Sequence, residues 1–533
     1  MFEHTRFVVA LGTAALILAI RSAPSAQGPK QPLVLTHGIA SGDVTSSTAV
    51  IWARASGKAQ MHVEIDTDPA FAHPKSGRSA HASEATDFTA HMMLEGLQPD
   101  VRYYYRVWLA GAGGQGRSRV SEGPIGTFKT APEASQSRPV SFIVGADIGG
   151  QRYCRNAAQG GYAIFAKMEA LRPDFYIANG DAIYADGDCP VTGGEPGWVN
   201  IPENTDIPDS FKGIGDPSVD WTNVDAVREV FLRHWRYNRN DPFTQSFLRS
   251  TSMIAQWDDH EVINDFGAPW TYWNWANINR AGYPNIVAAG LDTFFWYSPI
   301  AREQADRDRI YRSFRWGKDV EIFVLDARSY RDRNDTLDTA ADFKPMLGRE
   351  QIAWLVDGIE RSTATWKIVS SDVPISIPTG TNMTILPDGT RVGFGRDAWA
   401  RLPGESATGF RRELLYLLSE LDRINAENLV FVATDVHYAT NLAYELDADG
   451  DGDPLKLHEV VRGPLNAVKN PAKTKAQLDP SANPTVLYTE GGIFNFGYVS
   501  VGRQVDGQVH FIADARGDNG LQRPGSILDL TPQ

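Results

Sequence analysis

Four short apolar runs in this chain each end in an aspartate. Residues 140–144 (VSFIV) lead to Asp147, 175–178 (FYIA) to Asp181, 321–325 (EIFVL) to Asp326, and 429–433 (LVFVA) to Asp435. Amphipathic segments at 162–171, 349–360 and 411–423 lie between or beside them. Buried strands alternating with helices predict an α/β layered domain. In open sheets of this kind, ligands bind at the edge beyond the carboxyl ends of the strands. Carboxylates gathered there repel one another, at a cost of several kcal/mol, unless they are paired or hold cations. A metal cluster is the expected solution.

A different pattern precedes this domain. Residues 31–132 read as short strands, among them 49–52 (AVIW) and 61–65 (MHVEI). A Leu97-Gln98-Pro99-Asp100 turn then leads into the aromatic run Tyr103-Tyr104-Tyr105. A proline turn before an aromatic strand is how a fibronectin-like sandwich approaches its tyrosine corner. The polar stretch 130–137 places a boundary there, so 31–132 is expected to be a small β-sandwich and 138–533 the larger domain. At the start of the chain, Arg6, the uncharged run 7–20 (FVVALGTAALILAI) and the small residues 23–26 follow the order of a secretory signal peptide, expected to span 1–26. That implies a periplasmic or secreted protein. No later window is long and apolar enough for a stable membrane span.

Net charge narrows the partners. Lys+Arg 51 against Asp+Glu 65 gives −14, which disfavours dedicated nucleic-acid binding. With only two cysteines, a disulfide-rich scaffold and a cysteine-based zinc module are both ruled out.

The chemistry is carried by Gly145-Ala146-Asp147-Ile148-Gly149, Gly180-Asp181-Ala182-Ile183-Tyr184, Trp257-Asp258-Asp259-His260-Glu261 and Thr434-Asp435-Val436-His437. Asp is a hard oxygen donor, His an intermediate nitrogen donor, and Tyr phenolate a hard donor that favours a trivalent ion. Two ions held close together clamp the attacking and leaving oxygens of phosphoryl transfer.

In this order the motifs resemble those of the alkaline phosphatase D family of calcineurin-like metallophosphoesterases, over nearly the whole mature chain. Further similarity lies in His37-Gly38-Ile39-Ala40-Ser41-Gly42-Asp43, Trp52-Ala53-Arg54, Asn179 through Asp186, Asp326-Ala327-Arg328-Ser329-Tyr330-Arg331 and Trp366-Lys367. The resemblance implies an αββα metallophosphatase sandwich behind the β-domain. It also implies an exported phosphoester hydrolase that uses a metal-activated hydroxide on a small substrate, such as a phospholipid or a nucleotide. The implied centre is di- or trinuclear, with Fe3+ and Ca2+ as the characteristic ions and Zn2+ or Mn2+ as alternatives. A phospholipase D-like diesterase and a non-catalytic secreted binding protein are the rival readings.

Carried over by position, the resemblance makes Asp181 the bridging ligand and Tyr184 a phenolate ligand, similar to the Gly-Asp-x-x-Tyr form of purple acid phosphatases. Asp259 falls where the wider superfamily has a metal-binding Asn, and His260 where it has the His that meets the phosphate. Asp435 and His437 replace a His-x-His pair. Asp147 stands where the family usually has a cysteine ligand, which hardens the site. Asp372 falls where many relatives have a metal-binding His, and Arg328 is a candidate phosphate contact. Cys154 and Cys189 follow Asp147 and Asp181 into loops over the same edge, where a disulfide is expected; a displaced iron ligand at Cys154 and free thiols are the alternatives. Asp447, Asp449 and Asp451 imitate the start of a calcium loop, but His458 takes the place of its closing glutamate, so a solvated turn is expected. The aromatic stretch 270–275 is expected either to pack under a loop or to form an apolar wall for the leaving group.

Overall fold

The computed structural model describes residues 32–111, 121–202, 212–267, 282–302, 308–339, 344–405 and 408–533. The proposed signal sequence and the aromatic stretch 270–275 lie outside them. Residues from Leu33 onward form one compact unit.

Two sheets are stacked face to face. The first has nine strands, in the order Leu528–Leu530, Val509–Gly517, Asn495–Arg503, Val140–Gly145, Phe175–Asn179, Ser252–Gln256, Leu35–Gly42, Thr48–Ala55 and Thr89–Glu95. The second has seven: Arg312–Trp316, Val320–Val324, Trp366–Ser370, Leu429–Ala433, Leu455–Val461, Ala439–Leu446 and Pro484–Glu490.

Strand alternation explains why these runs are apolar throughout. Phe142, Val144, Phe175 and Ile177 point into the space between the sheets, where they meet Ile322, Val324, Ile368, Val430 and Val432. Their neighbours Ile143, Tyr176 and Ala178 point outward, under helices Ile164–Ala170, Val224–Arg239, Pro242–Ser250 and Tyr283–Tyr297. On the far side Phe323, Val369, Leu429 and Phe431 pack beneath helices Gly348–Arg361 and Arg411–Arg423. A strand with both faces covered must be apolar at every position, whereas a strand with one wet face alternates. The result is an αββα sandwich. The helix starts are set locally: Asn223 accepts from the amides of Asp225 and Ala226, and Asp241 from Phe243 and Thr244 ahead of a proline in the first turn.

The N-terminal β-domain has its own core of Ile39, Ile51, Met61, Val63, Tyr105 and Phe128. Tyr103 accepts a hydrogen bond from the Gln98 amide at 3.0 Å, the contact expected of a tyrosine corner. The domain does not simply precede the larger one, because Leu35–Gly42 pairs in parallel with Ser252–Gln256 and extends its sheet. Buried Asp87 binds Arg54 of the β-domain and Arg236 of helix Val224–Arg239, both in fork geometry at 2.8–2.9 Å. A linker-like composition at 130–137 carried no information about either tie.

The Asp447–Asp453 turn is occupied by its own backbone. Asp447, Asp449 and Asp451 each accept a nearby amide, and Asp422 accepts from Ala448 and Asp449.

One buried acid belongs to none of the strand-end donor groupings. Glu459 accepts from Tyr444 Oη at 2.6 Å and from the Ile375 amide at 2.8 Å, yet burial pushes its carboxyl up to about 7. A raised acid contributes stability that is complete below its ordinary value and lost as pH rises through 7. Glu459→Gln is therefore expected to melt above the wild type at pH 8.5, with the advantage disappearing near pH 5. Melting curves of the two proteins across that range check this.

Candidate metal centre

The parallel strands of the two sheets end at a common edge, and a polar seam aligns them there. Asn179 Nδ2 donates to Ser370 Oγ at 2.7 Å, Ser370 Oγ to Gln256 Oε1 at 2.6 Å, and Gln256 Nε2 to Leu325 O at 3.0 Å. Just past this seam the chain turns sharply. Asp147, Asp181, Asp435 and His437 adopt left-handed backbone with φ of 65°, 48°, 70° and 61°. Such conformations cost of order 1–3 kcal/mol each and cluster at functional sites. Gly180 is required here, since a Cβ at this position would lie 2.4 Å from Cβ of Asp258. Gly150 is required for the same kind of reason: a side chain there would enter the ring of Tyr184.

These turns bring the acids together. Asp147, Asp181 and His437 present donor atoms within 4.8 Å of one another; so do Asp181, Asp259 and His260, and Asp258, Asp259 and Asp435. Tyr184 Oη lies 3.0 Å from His437 Nε2, which is 3.6 Å from Asp147 Oδ1. His437 Nδ1 lies 2.6 Å from Val468 O, a contact that needs the proton on Nδ1 and leaves the Nε2 lone pair facing Tyr184 and Asp147. Burial lowers this imidazole to about 4, so it is neutral, as a ligand must be.

His260 is held differently. Its Nδ1 is 2.6 Å from Asp186 Oδ1, while Asp186 Oδ2 accepts from the Asn264 amide at 2.9 Å. Burial would lower this imidazole, but the charges of Asp186 and Asp259 outweigh it and raise it to about 10. Glu261 fastens two turns together, accepting from the amides of Asp181 (3.0 Å), Ala182 (2.6 Å) and Asp258 (2.8 Å). Disulfide Cys154–Cys189 joins the loop after Asp147 to the loop after Asp181 and packs on Tyr237.

Two expected assignments are corrected. Arg328 does not face a phosphate. Its side chain is fully buried, with Nη2 2.5 Å from Asp258, Nε 3.1 Å from Asp372 and Nη1 2.8 Å from Asp397. Asp372 in turn gives one oxygen to Arg328 and the other to Gln256 Nε2 at 3.4 Å, so it anchors the guanidinium instead of holding an ion. Asp326, also at a strand end, accepts from Trp257 Nε1 at 2.9 Å and the Ser329 amide at 2.9 Å, and it belongs to none of the donor groupings. Sequence reasoning missed Asp186, Glu261 and Asp397. Asp186 and Glu261 lie inside quoted motifs, but nothing in a one-dimensional pattern separates a residue that orients a ligand from the ligand itself.

The donor set fits metal ions. Both oxygens of Asp147, Oδ1 of Asp259 and Oδ2 of Asp435 are buried without a hydrogen-bond partner among the described residues. Unpaired buried acceptors are rare in folded proteins. Burial first, and neighbouring carboxylate charge second, push Asp147, Asp181 and Asp435 well above the usual carboxylate range in the absence of cations. The centre lines an open pocket of about 530 Å³ whose other walls are Pro378–Gly380, Arg396 and Asn470–Lys473.

Comparison with known proteins identifies the family. The sequence profile described as PhoD-like phosphatase matches residues 147–506, and that of the PhoD-like phosphatase N-terminal domain matches 21–132. The chain belongs to the PhoD-like phosphatase family. It is 23% identical to alkaline phosphatase D of Bacillus subtilis (strain 168) over 485 residues, 85% of this chain and 73% of that protein. A solved structure described as PhoD superposes with a TM-score of 0.68 at 19% identity, over 93% of this chain and 88% of the other. Purple acid phosphatase PPD1 of yellow lupin (Lupinus luteus) superposes with a TM-score of 0.51 at 11% identity, over 93% of this chain and 74% of the other. The PhoD-like chain is thus a metal-dependent phosphoester hydrolase built as an αββα sandwich behind a β-sandwich. Among the described residues no helix is long and apolar enough to cross a membrane.

Without cations the centre is a pH-dependent liability. Asp258 is raised to about 6 and Glu261 to about 8, chiefly by burial. Raised acids stabilise the fold at low pH and lose that contribution as pH climbs through those values. Metal-stripped protein is expected to melt progressively lower from pH 5.5 to pH 8.5, and the gap between stripped and reloaded protein to widen over the same range. Scanning calorimetry of both forms measures it.

Proposed function

We propose that this PhoD-like protein hydrolyses small phosphoesters at a centre whose ions are held by Asp147, Asp181, Tyr184, Asp259, Asp435 and His437. The observation that carries the reading is the set of unpartnered buried oxygens on Asp147, Asp259 and Asp435, the last two in the wall of one pocket that His260, paired with Asp186, also lines. Metal ions bound there supply Lewis acidity and ionise water near neutral pH.

The remaining work falls to the chain itself. Asp181, shared between two donor groupings, would offer its carboxylate to both ions. Asp186 accepts from Nδ1 of His260, which leaves Nε2 as the donor toward the pocket that His260 lines. From there His260 hydrogen-bonds a phosphoryl oxygen as charge develops on it, or protonates the leaving oxygen. Glu261 and the left-handed turns hold the acids in place before substrate arrives, so little reorganisation is left to the reaction step.

The donor types favour a hard trivalent ion, iron, at the Asp147–Tyr184–His437 side, and calcium among the all-carboxylate donors. We also read residues 1–26 as an export signal; disulfide Cys154–Cys189 supports an oxidising destination.

Two sets of variants test the roles. Asp181→Asn is expected to abolish turnover and lower metal content together, whereas His260→Ala keeps the metals and loses roughly 10²–10⁴ in rate. Elemental analysis beside a phosphoester assay separates them, and metal loss in His260→Ala would make that residue a ligand. If Tyr184 binds ferric iron as a phenolate, natively loaded protein is coloured, and Tyr184→Phe bleaches it while Tyr176→Phe does not. A colourless, active, iron-free protein overturns the iron assignment.

A further inference from the structure

Two cationic side chains besides the histidines line the metal pocket, Arg396 and Lys473. Arg396 is already neutralised. It forms a fork on Glu405, with Nε at 2.9 Å, and donates Nη1 to Gly380 O at 2.9 Å, and both members of the pair are nearly buried, at 13% and 11% exposure. Arg328 is enclosed by carboxylates behind the metal centre. Lys473 differs from both. Its Nζ donates to the carbonyl of Pro378 across the pocket, and among the described residues it has no carboxylate within ion-pair distance. An ammonium has three donors, so this carbonyl leaves two without a protein acceptor.

The position of Lys473 follows from the ligand loop. The His437 imidazole donates to Val468 O, the Asn470 amide donates to His437 O at 3.0 Å, and Asn470 Nδ2 donates to Val436 O at 3.2 Å. Beyond Lys473 the chain is fixed again by the reciprocal cap between Thr474 and Gln477. The lysine therefore rides on a short segment fastened to the turn that carries Asp435 and His437. Burial and the charge of Arg396 lower the amine to about 8, against the pull of Asp435 and Glu405. A half-buried cation with free donors, facing carboxylates that hold metal ions, is built to meet an anion bound between them.

We propose that Lys473 contacts the terminal phosphoryl oxygens of the substrate and biases this pocket toward dianionic phosphomonoesters over monoanionic diesters. The proposal rests on the phosphoester-hydrolase reading of this pocket and names its substrate class. A monoester presents three terminal oxygens and two negative charges. Two oxygens can face the metal ions while the third meets the ammonium. A diester replaces that third oxygen with an esterified one, which carries no charge and is a poor acceptor, so Lys473 gains little from it.

The test uses the full metal-loaded chain at pH 7, with 4-nitrophenyl phosphate, bis(4-nitrophenyl) phosphate and inorganic phosphate as probes. Lys473→Met is expected to lower kcat/KM for the monoester by roughly 10–100-fold, the range for a lost hydrogen bond to a charged group, and the diester value by much less. Inorganic phosphate, titrated calorimetrically, is expected to bind more weakly by a similar factor. Lys473→Arg restores part of both effects. Equal losses on both esters, or unchanged phosphate affinity in Lys473→Met, overturn the assignment. If the metal-loaded wild type hydrolyses neither ester, the phosphoester-hydrolase reading fails instead, and the phosphate titration still decides whether Lys473 binds the anion.

Discussion

Mutual repulsion among buried carboxylates is the constraint on which this structure depends. Asp147, Asp181, Asp258, Asp259, Asp372, Asp397 and Asp435 are all buried or nearly so around one sheet edge. Charges so placed are strongly disfavoured unless cations accompany them. The chain provides part of the compensation itself. Arg328, fully buried, neutralises the Asp258–Asp372–Asp397 side of the cluster. Arg331 reinforces it on Asp397 at 3.0 Å. On the other side, around Asp147, Asp181 and Asp259, no arginine or lysine forms an ion pair among the described residues; both oxygens of Asp147 and Oδ1 of Asp259 are without a partner there, as are Asp258 Oδ2 and Asp326 Oδ2 nearer Arg328. The division is between acids that Arg328 neutralises and acids left to external cations, with Asp258 belonging to both sets: it meets Arg328 and also shares a donor grouping with Asp259 and Asp435.

The rest of the fold serves that division. Stacking two sheets with their parallel strand ends in common gives a single edge long enough to hold all of the acids, and the Asn179–Ser370–Gln256 seam keeps the sheets from sliding. Disulfide Cys154–Cys189 and the Glu261 carboxylate hold the loops that carry Asp147 and Asp181. The β-domain reinforces the same sheet from its far end, through Leu35–Gly42 and the Asp87 arginine forks. Asp87 is held at about 2, since hydrogen bonds from Arg54 and Arg236 overcome its burial, so the tie is ionised at any physiological pH.

Phosphoryl transfer asks little covalent chemistry of a protein and much positioning. The site reflects this. Its polar side chains include those that can hold ions, those that hold the holders, and others left in the pocket wall, among them His260 and Lys473. Asp186 belongs to the second kind, and without it the imidazole of His260 would have neither a defined tautomer nor a fixed direction.

An α/β layered domain and the sheet edge where acids gather could be read from the sequence, because strand and helix periods are local and a strand-end aspartate is a one-dimensional signal; the αββα layering came from the family resemblance. The helix at Arg411–Arg423 and the strand at Leu429–Ala433 fall where the pattern put them. The partners of each acid could not be read in this way. Asp372 and Asp435 look alike in sequence, each just past an apolar strand, but Asp372 lies against Arg328 while Asp435 keeps an oxygen without a partner. Arg328 looks like a phosphate contact in its motif and is sealed from the pocket by packing. Lys473 carries no motif at all. Its place depends on hydrogen bonds to a turn that precedes it by more than thirty residues. Sequence alone determined that Asp147, Asp181, Asp326 and Asp435 reach the edge, since that follows from backbone periodicity. Only the tertiary structure decided which charges meet, because neutralisation depends on distances of a few ångströms between segments far apart in the chain.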